Sequence, residues 1–423
     1  MIQATAISDK AKLVDGRLMI ELPWYESLKA EIEGGHEVRL LEMGAAFFPA
    51  LLQEIAAARE RIYLETYIFQ NDVTGKKLAH ALADAAARGV AVHLVIDGFG
   101  SGGFVGEAQE VLEDSNVRME VFRPKRRWFD LNRQRLRRLH RKLSVIDGRT
   151  AFVGGINVLD DYFDPNHGVL EHPRFDFAVR IQGPLVAQVH VAVTRLWWEL
   201  GVINRSLGRK GSKPRGMKPP QIVKSDISHA GETRAMFMLR DNFRNRRAIE
   251  NWYLKAIGRA KHEVLIANAY FFPGVKFRRA LIQAAQRGVK VRLLLQGVVE
   301  YKLQDWASHA LYDELLRAGI EIIEYKKSFL HAKVAVIDEQ ATVGSSNIDP
   351  FSLLLAREAN VVVRGTAFAE QLRTCINLAI EDGGQAVEPR HHLERPWLIR
   401  LAHKFGYVLL RFGVALTGVA GRF

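Results

Sequence analysis

The sequence predicts an α/β protein made of two sandwich halves related by a pseudo-two-fold axis, with an amphipathic helix at the C-terminal end. Three observations carry this reading: a helix–strand–helix–strand block occurs twice, a His-x-Lys-x4-Asp motif occurs twice, and a one-sided apolar pattern follows Pro396. A chain of 423 residues suits two domains, or one duplicated domain, better than a single core. Its 48% apolar and 25% charged content excludes global disorder. The single cysteine, Cys375, excludes an internal disulfide framework and a cysteine-based zinc cluster. Sixty basic residues against 47 acidic ones leave a net charge of +13. That excess points to an anionic partner, either nucleic acid or a membrane with acidic headgroups.

The first block runs from Ile55 through RERIYLETYIFQND to LAHALADAAARGVAVHLVIDG. The second runs from Ile257 through KHEVLIANAYFFPG to FRRALIQAAQRGVKVRLLLQG. Leu78, Leu82 and Ala85 have helical spacing, and Ile62–Ile68 and Val90–Ile96 read as strands. Arg88-Gly89-Val90 recurs as Arg287-Gly288-Val289, with the glycine ending the helix and the valine opening the strand. The halves are expected over 1–204 and 232–390, separated by a basic Gly/Pro-rich linker over 205–231 and followed by a membrane-associating tail over 391–423. The first twenty residues lack the long apolar core of a signal peptide or a membrane span.

The chemistry-bearing signal is His140-x-Lys142-x4-Asp147 and its copy His331-x-Lys333-x4-Asp338. About 0.03 such matches are expected by chance from this composition. Each copy is trailed by a turn of small residues and an asparagine, Gly154-Gly155-Ile156-Asn157 and Gly344-Ser345-Ser346-Asn347. Residues i and i+2 of a strand share a face, so each histidine points the same way as its lysine. The apolar run after each lysine implies a buried strand, where an ammonium needs an anionic partner such as phosphate. Small residues permit close backbone approach, and Asn157 and Asn347 add amide donors. A pseudo-two-fold axis would bring both pairs to one phosphodiester.

The paired motifs resemble those of the phospholipase D superfamily, over roughly 38–383. The strings LETYIF, RGVAVHLVIDGFGS, LHRKLSVIDGRTAFVGGIN, IANAYFFPG, HAKVAVID and TVGSSNIDP are similar to bacterial cardiolipin synthases, most of all to the B-type members without N-terminal spanning helices. The resemblance implies phosphatidyl transfer without a cofactor, two phosphatidylglycerols giving cardiolipin and glycerol. One histidine would form a phosphohistidine, and the other would protonate the leaving alcohol and activate the incoming one. By family analogy His140 is the nucleophile and His331 the acid/base, although the near-symmetry of the copies leaves the order open. Lys142, Lys333, Asn157, Asn347 and Ser345 would hold the phosphate oxygens. The family also places a carboxylate downstream of each motif to orient the imidazole. The matching positions are Asp176 and Glu358, 36 and 27 residues after the histidine of their own half. Asp147 and Asp338 complete the motifs at the strand ends, where bracing the site suits them better than proton transfer. The chain departs from many relatives at Phe351 and Arg357, and Gly155 stands where the second half has Ser345. No metal-ligand cluster is visible.

Ten Lys or Arg residues lie between Arg123 and Lys142, interleaved with Trp128, Phe129, Leu131, Leu136 and Leu139 and with one acid, Asp130. This stretch reads as a basic loop or as a membrane-contacting lip. After Pro396, the residues Trp397, Leu398, Leu401, Phe405, Val408, Leu409, Phe412, Leu416 and Val419 fall on one helical face, with Arg400, Lys404 and Arg411 beside it. Such a helix lies in a membrane interface or docks on the protein. The expected partners are a phospholipid substrate and an anionic membrane surface, at the cytoplasmic face of a bacterial membrane, with no nucleic acid. A hydrolytic phospholipase D, a nucleic-acid phosphodiesterase and a non-catalytic basic scaffold are the alternatives.

Overall fold

Repeated local signals produce repeated elements in the computed structural model, which describes residues 11–28, 30–124, 137–206, 222–241, 245–299 and 302–416. In the first half, helix Met43–Ala57 leads to strand Arg61–Thr66, and helix Val73–Ala87 leads to strand Ala91–Asp97. In the second half, helix Ala248–Arg259 leads to strand Glu263–Asn268, and helix Val275–Gln286 leads to strand Lys290–Gln296. The strands begin and end within two residues of the bounds expected from sequence. Gly89 and Gly288 take left-handed backbone angles (φ +92° and +85°) that release the chain from each helix. The arginine before each glycine has its own task. Arg88 donates to the Ile55 carbonyl, and Arg287 to the Ile257 carbonyl, each at 2.9 Å. Both thereby satisfy the open end of the preceding helix.

The two halves share one continuous sheet, fifteen strands wide among the described residues. From one edge inward, the first half runs Arg118–Phe122, Ala91–Asp97, Arg61–Thr66, Lys142–Ile146, Thr150–Gly154, Phe177–Gln182 and Glu33–Glu42. The second half repeats the order as Glu321–Tyr325, Lys290–Gln296, Glu263–Asn268, Lys333–Ile337, Gln340–Gly344, Glu358–Arg364 and Thr233–Arg240, with Gly384–Ala386 added outside. Glu33–Glu42 and Thr233–Arg240 meet at the seam, antiparallel, with Thr233 opposite His36. An order that reads the same from both edges is the expected pseudo-two-fold arrangement.

Strand alternation then sorts the core. Leu143, Val145, Val153 and Val179 join Val334, Val336, Val343 and Val361 in one apolar cluster drawn from both halves. The opposite faces are covered separately, by Phe47, Leu51, Leu78 and Leu82 in the first half and by Tyr253, Phe277 and Leu281 in the second. A shared central cluster couples the halves through burial of apolar area, the dominant favourable contribution to association.

The expected linker over 205–231 is shorter at its far end. Val223–Asp226 forms a strand beside Arg17–Leu22, with Val223 and Ser225 buried while Lys224 faces out. Residues 207–221 of that linker lie outside the described residues, as do Trp128, Phe129, Asp130, Leu131 and Leu136 of the basic stretch and Val419 of the tail. The tail forms helix Trp397–Leu416, which packs along helix Lys302–Arg317.

Candidate active site

Both histidines sit just before a buried strand, where a crossed backbone clamp fixes them. The amides of His140 and Arg141 donate to the Arg357 carbonyl at 3.0 and 2.9 Å, and the Arg357 amide donates to the Arg138 carbonyl. In the mirror position, the His331 amide donates to the Phe175 carbonyl and the Phe175 amide to the Phe329 carbonyl. Arg357 precedes Glu358, and Phe175 precedes Asp176. Each clamp therefore places one half's histidine beside the other half's carboxylate. Nδ1 of His140 lies 2.9 Å from the Glu358 carboxylate, and Nδ1 of His331 lies 2.6 Å from Asp176. Pairing within each half, suggested by chain order, is corrected by this geometry.

A carboxylate at Nδ1 accepts the hydrogen bond of the Nδ1–H and leaves Nε2 as the nitrogen available for chemistry. Burial lowers the pKa of both imidazoles. Beyond burial, His331 is held well below its ordinary value by Lys333, Lys142, Arg174 and His140, groups from both halves. Lys142 of the first half and Lys333 of the second thus both act on this imidazole. Burial also pushes Asp176 up to about 6, against the pull of Lys333. Lys333 reaches across the seam, its ammonium 4.0 Å from the Asp176 carboxylate.

Both motif lysines are buried and fold back on the chain. Lys142 Nζ donates to the His140 carbonyl at 2.6 Å, and Lys333 Nζ donates to the His331 carbonyl. Burial drives the Lys142 pKa down to about 7. Asn157 Oδ1 accepts the Ile68 amide at 3.1 Å, which leaves its N–H groups for a ligand. Asn347 is 3% exposed, and its Oδ1 has no hydrogen-bond partner among the described residues. Asn157, Asp161, Arg174, Asp176 and His331 line a pocket of about 220 Å³.

Ser345 stands elsewhere than expected. Its hydroxyl donates to Glu358 at 2.5 Å and accepts from the Ala359 amide at 3.1 Å, so it steadies the carboxylate rather than the phosphate. Gly155 is its counterpart, and a Cβ there would lie 2.4 Å from Asp176 Oδ1. The glycine admits the shorter carboxylate; the serine holds the longer one.

Asp147 and Asp338 do not join the cleft. Asp147 accepts the amides of Arg59, Glu60 and Arg61, and Asp338 those of Lys261, His262 and Glu263, all between 2.8 and 3.0 Å. Each clips a helix–strand connection to the far end of the motif strand, with left-handed backbone angles of +50° and +51° that aspartate tolerates better than most residues. Although they complete the motifs, they stand outside the catalytic set and brace the motif strands instead. The extra residue between His140 and Asn157 also lies at that end. The first hairpin turns over Asp147, Gly148 and Arg149, the second over Asp338 and Glu339.

Sequence reasoning missed the residues that hold the segment before each histidine. Asp97 Oδ2 accepts the Leu139 amide at 2.9 Å, and Gln296 Oε1 accepts the Leu330 amide at 2.7 Å. Their signal was present, since LVIDG and LLLQG align in the repeat. It missed Tyr67, whose ring packs 5.0 Å from that of His140. It also missed the buried Glu65, which takes Arg141 at 2.6 and 2.9 Å on the opposite strand face.

The family described as "Cardiolipin synthase, PLD-like domain" matches residues 51–172 and 253–377, one match over each motif. The chain belongs to this family. It is 38% identical to cardiolipin synthase B of Salmonella typhi, covering 91% of this chain and 90% of that one. It is 35% identical to cardiolipin synthase B of Shigella flexneri, covering 92% of both. A cardiolipin synthase of Geobacillus thermodenitrificans is 32% identical over 88% of this chain and 72% of its own length. The fold is similar to that of the crystal structure of phosphatidylserine synthase from Haemophilus influenzae, with a TM-score of 0.64, 14% identity, and coverage of 96% and 97%. Membership fits a duplicated fold with one motif per half. Among the described residues, no group of three or more His, Cys, Asp or Glu is placed to hold a metal ion.

The charges set a pH profile. Asp176 must be ionised to hold the His331 Nδ1–H, so activity falls as pH drops through about 6. Lys142 loses its charge as pH rises through about 7, and an activity that needs an ammonium there falls with it. A bell-shaped kcat/KM profile with those two limbs is expected, and Lys142→Arg should move the alkaline limb up by more than one pH unit while the acid limb stays.

Proposed function

We propose that the chain is a cardiolipin synthase, transferring a phosphatidyl group from one phosphatidylglycerol to the glycerol hydroxyl of another and releasing glycerol. The observation that carries this reading is the pair of crossed imidazole–carboxylate contacts flanked by two buried ammonium groups. Nε2 of one histidine attacks phosphorus, and the P–O bond to the headgroup glycerol breaks. The other imidazole, whose charged form the bound phosphate anion favours against the lysines around it, gives its proton to the departing oxygen. In the second step that imidazole takes the proton of the incoming hydroxyl as its oxygen displaces nitrogen from phosphorus. His140 serves as nucleophile and His331 as acid/base in this account. Lys142, Lys333, Asn157 and Asn347 hold the charge growing on the non-bridging oxygens, in a cleft where burial strengthens each contact. Glu358 and Asp176 orient the rings.

The lipid reaches this cleft from a membrane surface. Helix Trp397–Leu416 docks through Tyr407, Leu410 and Val414, with Tyr407 and Leu410 against Phe272, Ala307 and Leu311. Gly406 allows the approach, since a Cβ there would lie 2.8 Å from Trp306. The other face leaves Trp397, Leu398, Leu401, Phe405, Val408 and Phe412 between 56% and 70% exposed. Docking and outward apolar display, alternatives in the sequence, thus coexist on opposite faces. Arg400, Lys404 and Arg411 flank the exposed face and match anionic headgroups. Among the described residues, no helix is long and apolar enough to cross a membrane. Arg123, Arg137, Arg138 and Arg357 crowd the His140 side, and with burial they lower the Arg123 pKa to about 10. An approaching lipid phosphate would relieve that mutual repulsion.

Purified protein given labelled phosphatidylglycerol should release glycerol and form a diphosphatidyl product. Phosphatidic acid as the sole product would make it a hydrolase, and DNA cleavage without lipid turnover a nuclease. His140→Ala and His331→Ala should each lower turnover at least a thousandfold; near-normal rates in either would remove the two-histidine mechanism. A second experiment addresses the helix. The combined Leu401→Ser, Phe405→Ser and Phe412→Ser variant should bind anionic vesicles at least tenfold more weakly, since each side chain gives up part of the roughly 1.5–3 kcal/mol of a buried large apolar group. Turnover of detergent-dispersed substrate should change less than twofold. Unchanged vesicle binding would contradict the membrane-facing assignment.

A further inference from the structure

The two halves differ beside their histidines. The isolated bridges Phe69–Val158 and Phe271–Ile348 occupy mirror positions, which makes Tyr67 the counterpart of Ala269. In the first half the Tyr67 ring fills the space, 5.0 Å from the His140 ring and 5.4 Å from the Lys142 ammonium. The following turn closes over it. Ser101 Oγ donates to the Tyr67 carbonyl at 3.1 Å, and a Cβ on Gly100 would lie 2.8 Å from the Tyr67 ring. In the second half only a methyl stands there, and a solvent-open cavity lies instead, lined by Ala269, Tyr270, Gln296, Gln304, Ser308 and Tyr312 among others.

This cavity backs directly on the His331 segment. The Ala269 amide donates to the Ala332 carbonyl at 2.9 Å, and Gln296 Oε1 accepts the Leu330 amide at 2.7 Å. It also lies at the C-terminal ends of the parallel strands Glu263–Asn268 and Lys290–Gln296, where open α/β sheets bind ligands. Its polar groups are largely neutral. The Gln296 carboxamide oxygen is engaged, so its N–H groups remain to donate. The Ser308 hydroxyl donates to the Phe271 carbonyl at 3.0 Å and keeps its lone pairs for a ligand hydroxyl. Burial holds the Tyr312 phenol well above its ordinary pKa, hence uncharged. Among the described residues the one lining carboxylate is Asp305, which lies 3.3 Å from His309. Among the described residues the lining holds no cation, which does not suit a phosphate inside it, whereas hydroxyl groups suit carboxamides and a serine.

We infer that the cavity behind the His331 segment, lined by Ala269 where the first half carries Tyr67, seats the neutral polyol headgroup that enters or leaves phosphorus. This rests on the phosphatidyl-transfer reading and assigns the alcohol to one side of the cleft. The leaving glycerol and the glycerol moiety of the incoming phosphatidylglycerol use the same seat, with the incoming lipid's own phosphate outside it, since the second step runs the first in reverse with a new alcohol.

The test imports the first half's side chain as Ala269→Tyr and compares phosphatidylglycerol with phosphatidylmethanol as donors. The ratio of kcat/KM for the glycerol donor over the methanol donor should fall at least tenfold; an unchanged ratio would overturn the seat. Should Ala269→Tyr be inactive on both donors, Gln304→Leu decides by the same ratio, with a fall of threefold or more expected and no change fatal. A separate readout needs no turnover. Saturation-transfer NMR with free glycerol should show contact with the wild-type protein that is lost in Ala269→Tyr. Glycerol contact in a protein that turns over no phospholipid would keep the seat and remove the transfer reading. Lipid transfer with an unchanged donor ratio and no glycerol contact would do the reverse.

Discussion

An imidazole presents a lone pair at Nε2 only when something accepts the proton at Nδ1, and in this fold neither half supplies that acceptor to its own histidine. Glu358 lies 2.9 Å from His140, and Asp176 lies 2.6 Å from His331, each across the seam. The rest of the architecture serves this exchange. The clamps through Arg357 and Phe175 set the two residues side by side, and the shared cluster around Val145 and Val336 keeps the halves from sliding. A half on its own would hold a histidine without its orienting carboxylate.

Exchange also explains where the copies differ. Asp176 is shorter than Glu358, and the neighbouring residue compensates in each case: glycine at 155 to let the short carboxylate in, serine at 345 to hold the long one by its hydroxyl. Duplication supplied two similar sites, and small asymmetries separate their tasks. Tyr67 against Ala269 is the largest of these beside the histidines, since one half fills the space that the other leaves open.

Much of this was legible in the chain. The repeated RGV tripeptide marked helix ends because only a left-handed glycine lets the next strand turn back, and the His-x-Lys spacing marked a shared strand face. Asp176 and Glu358 were found by resemblance. Their crossing was not, because it depends on backbone bridges more than 150 residues apart in sequence, such as His331 to Phe175. The motif aspartates illustrate a different limit. Asp147 and Asp338 recur at fixed spacing as faithfully as the histidines, yet they cap amides at the far strand end, and spacing alone does not separate a brace from a reacting group. The tail shows a third limit. An amphipathic pattern defines an apolar face, but only packing against helix Lys302–Arg317 shows that the apolar face read from sequence turns outward while Tyr407, Leu410 and Val414 turn in.

Nitrogen-15 NMR of the histidine rings tests the exchange most directly, using wild type, Asp176→Asn and Glu358→Gln. The account predicts that Asp176→Asn perturbs the Nδ1 resonance and the titration of His331 while His140 stays unchanged, and that Glu358→Gln does the opposite. Perturbation of the histidine in the same half as the altered carboxylate, with its partner across the seam unaffected, would contradict it.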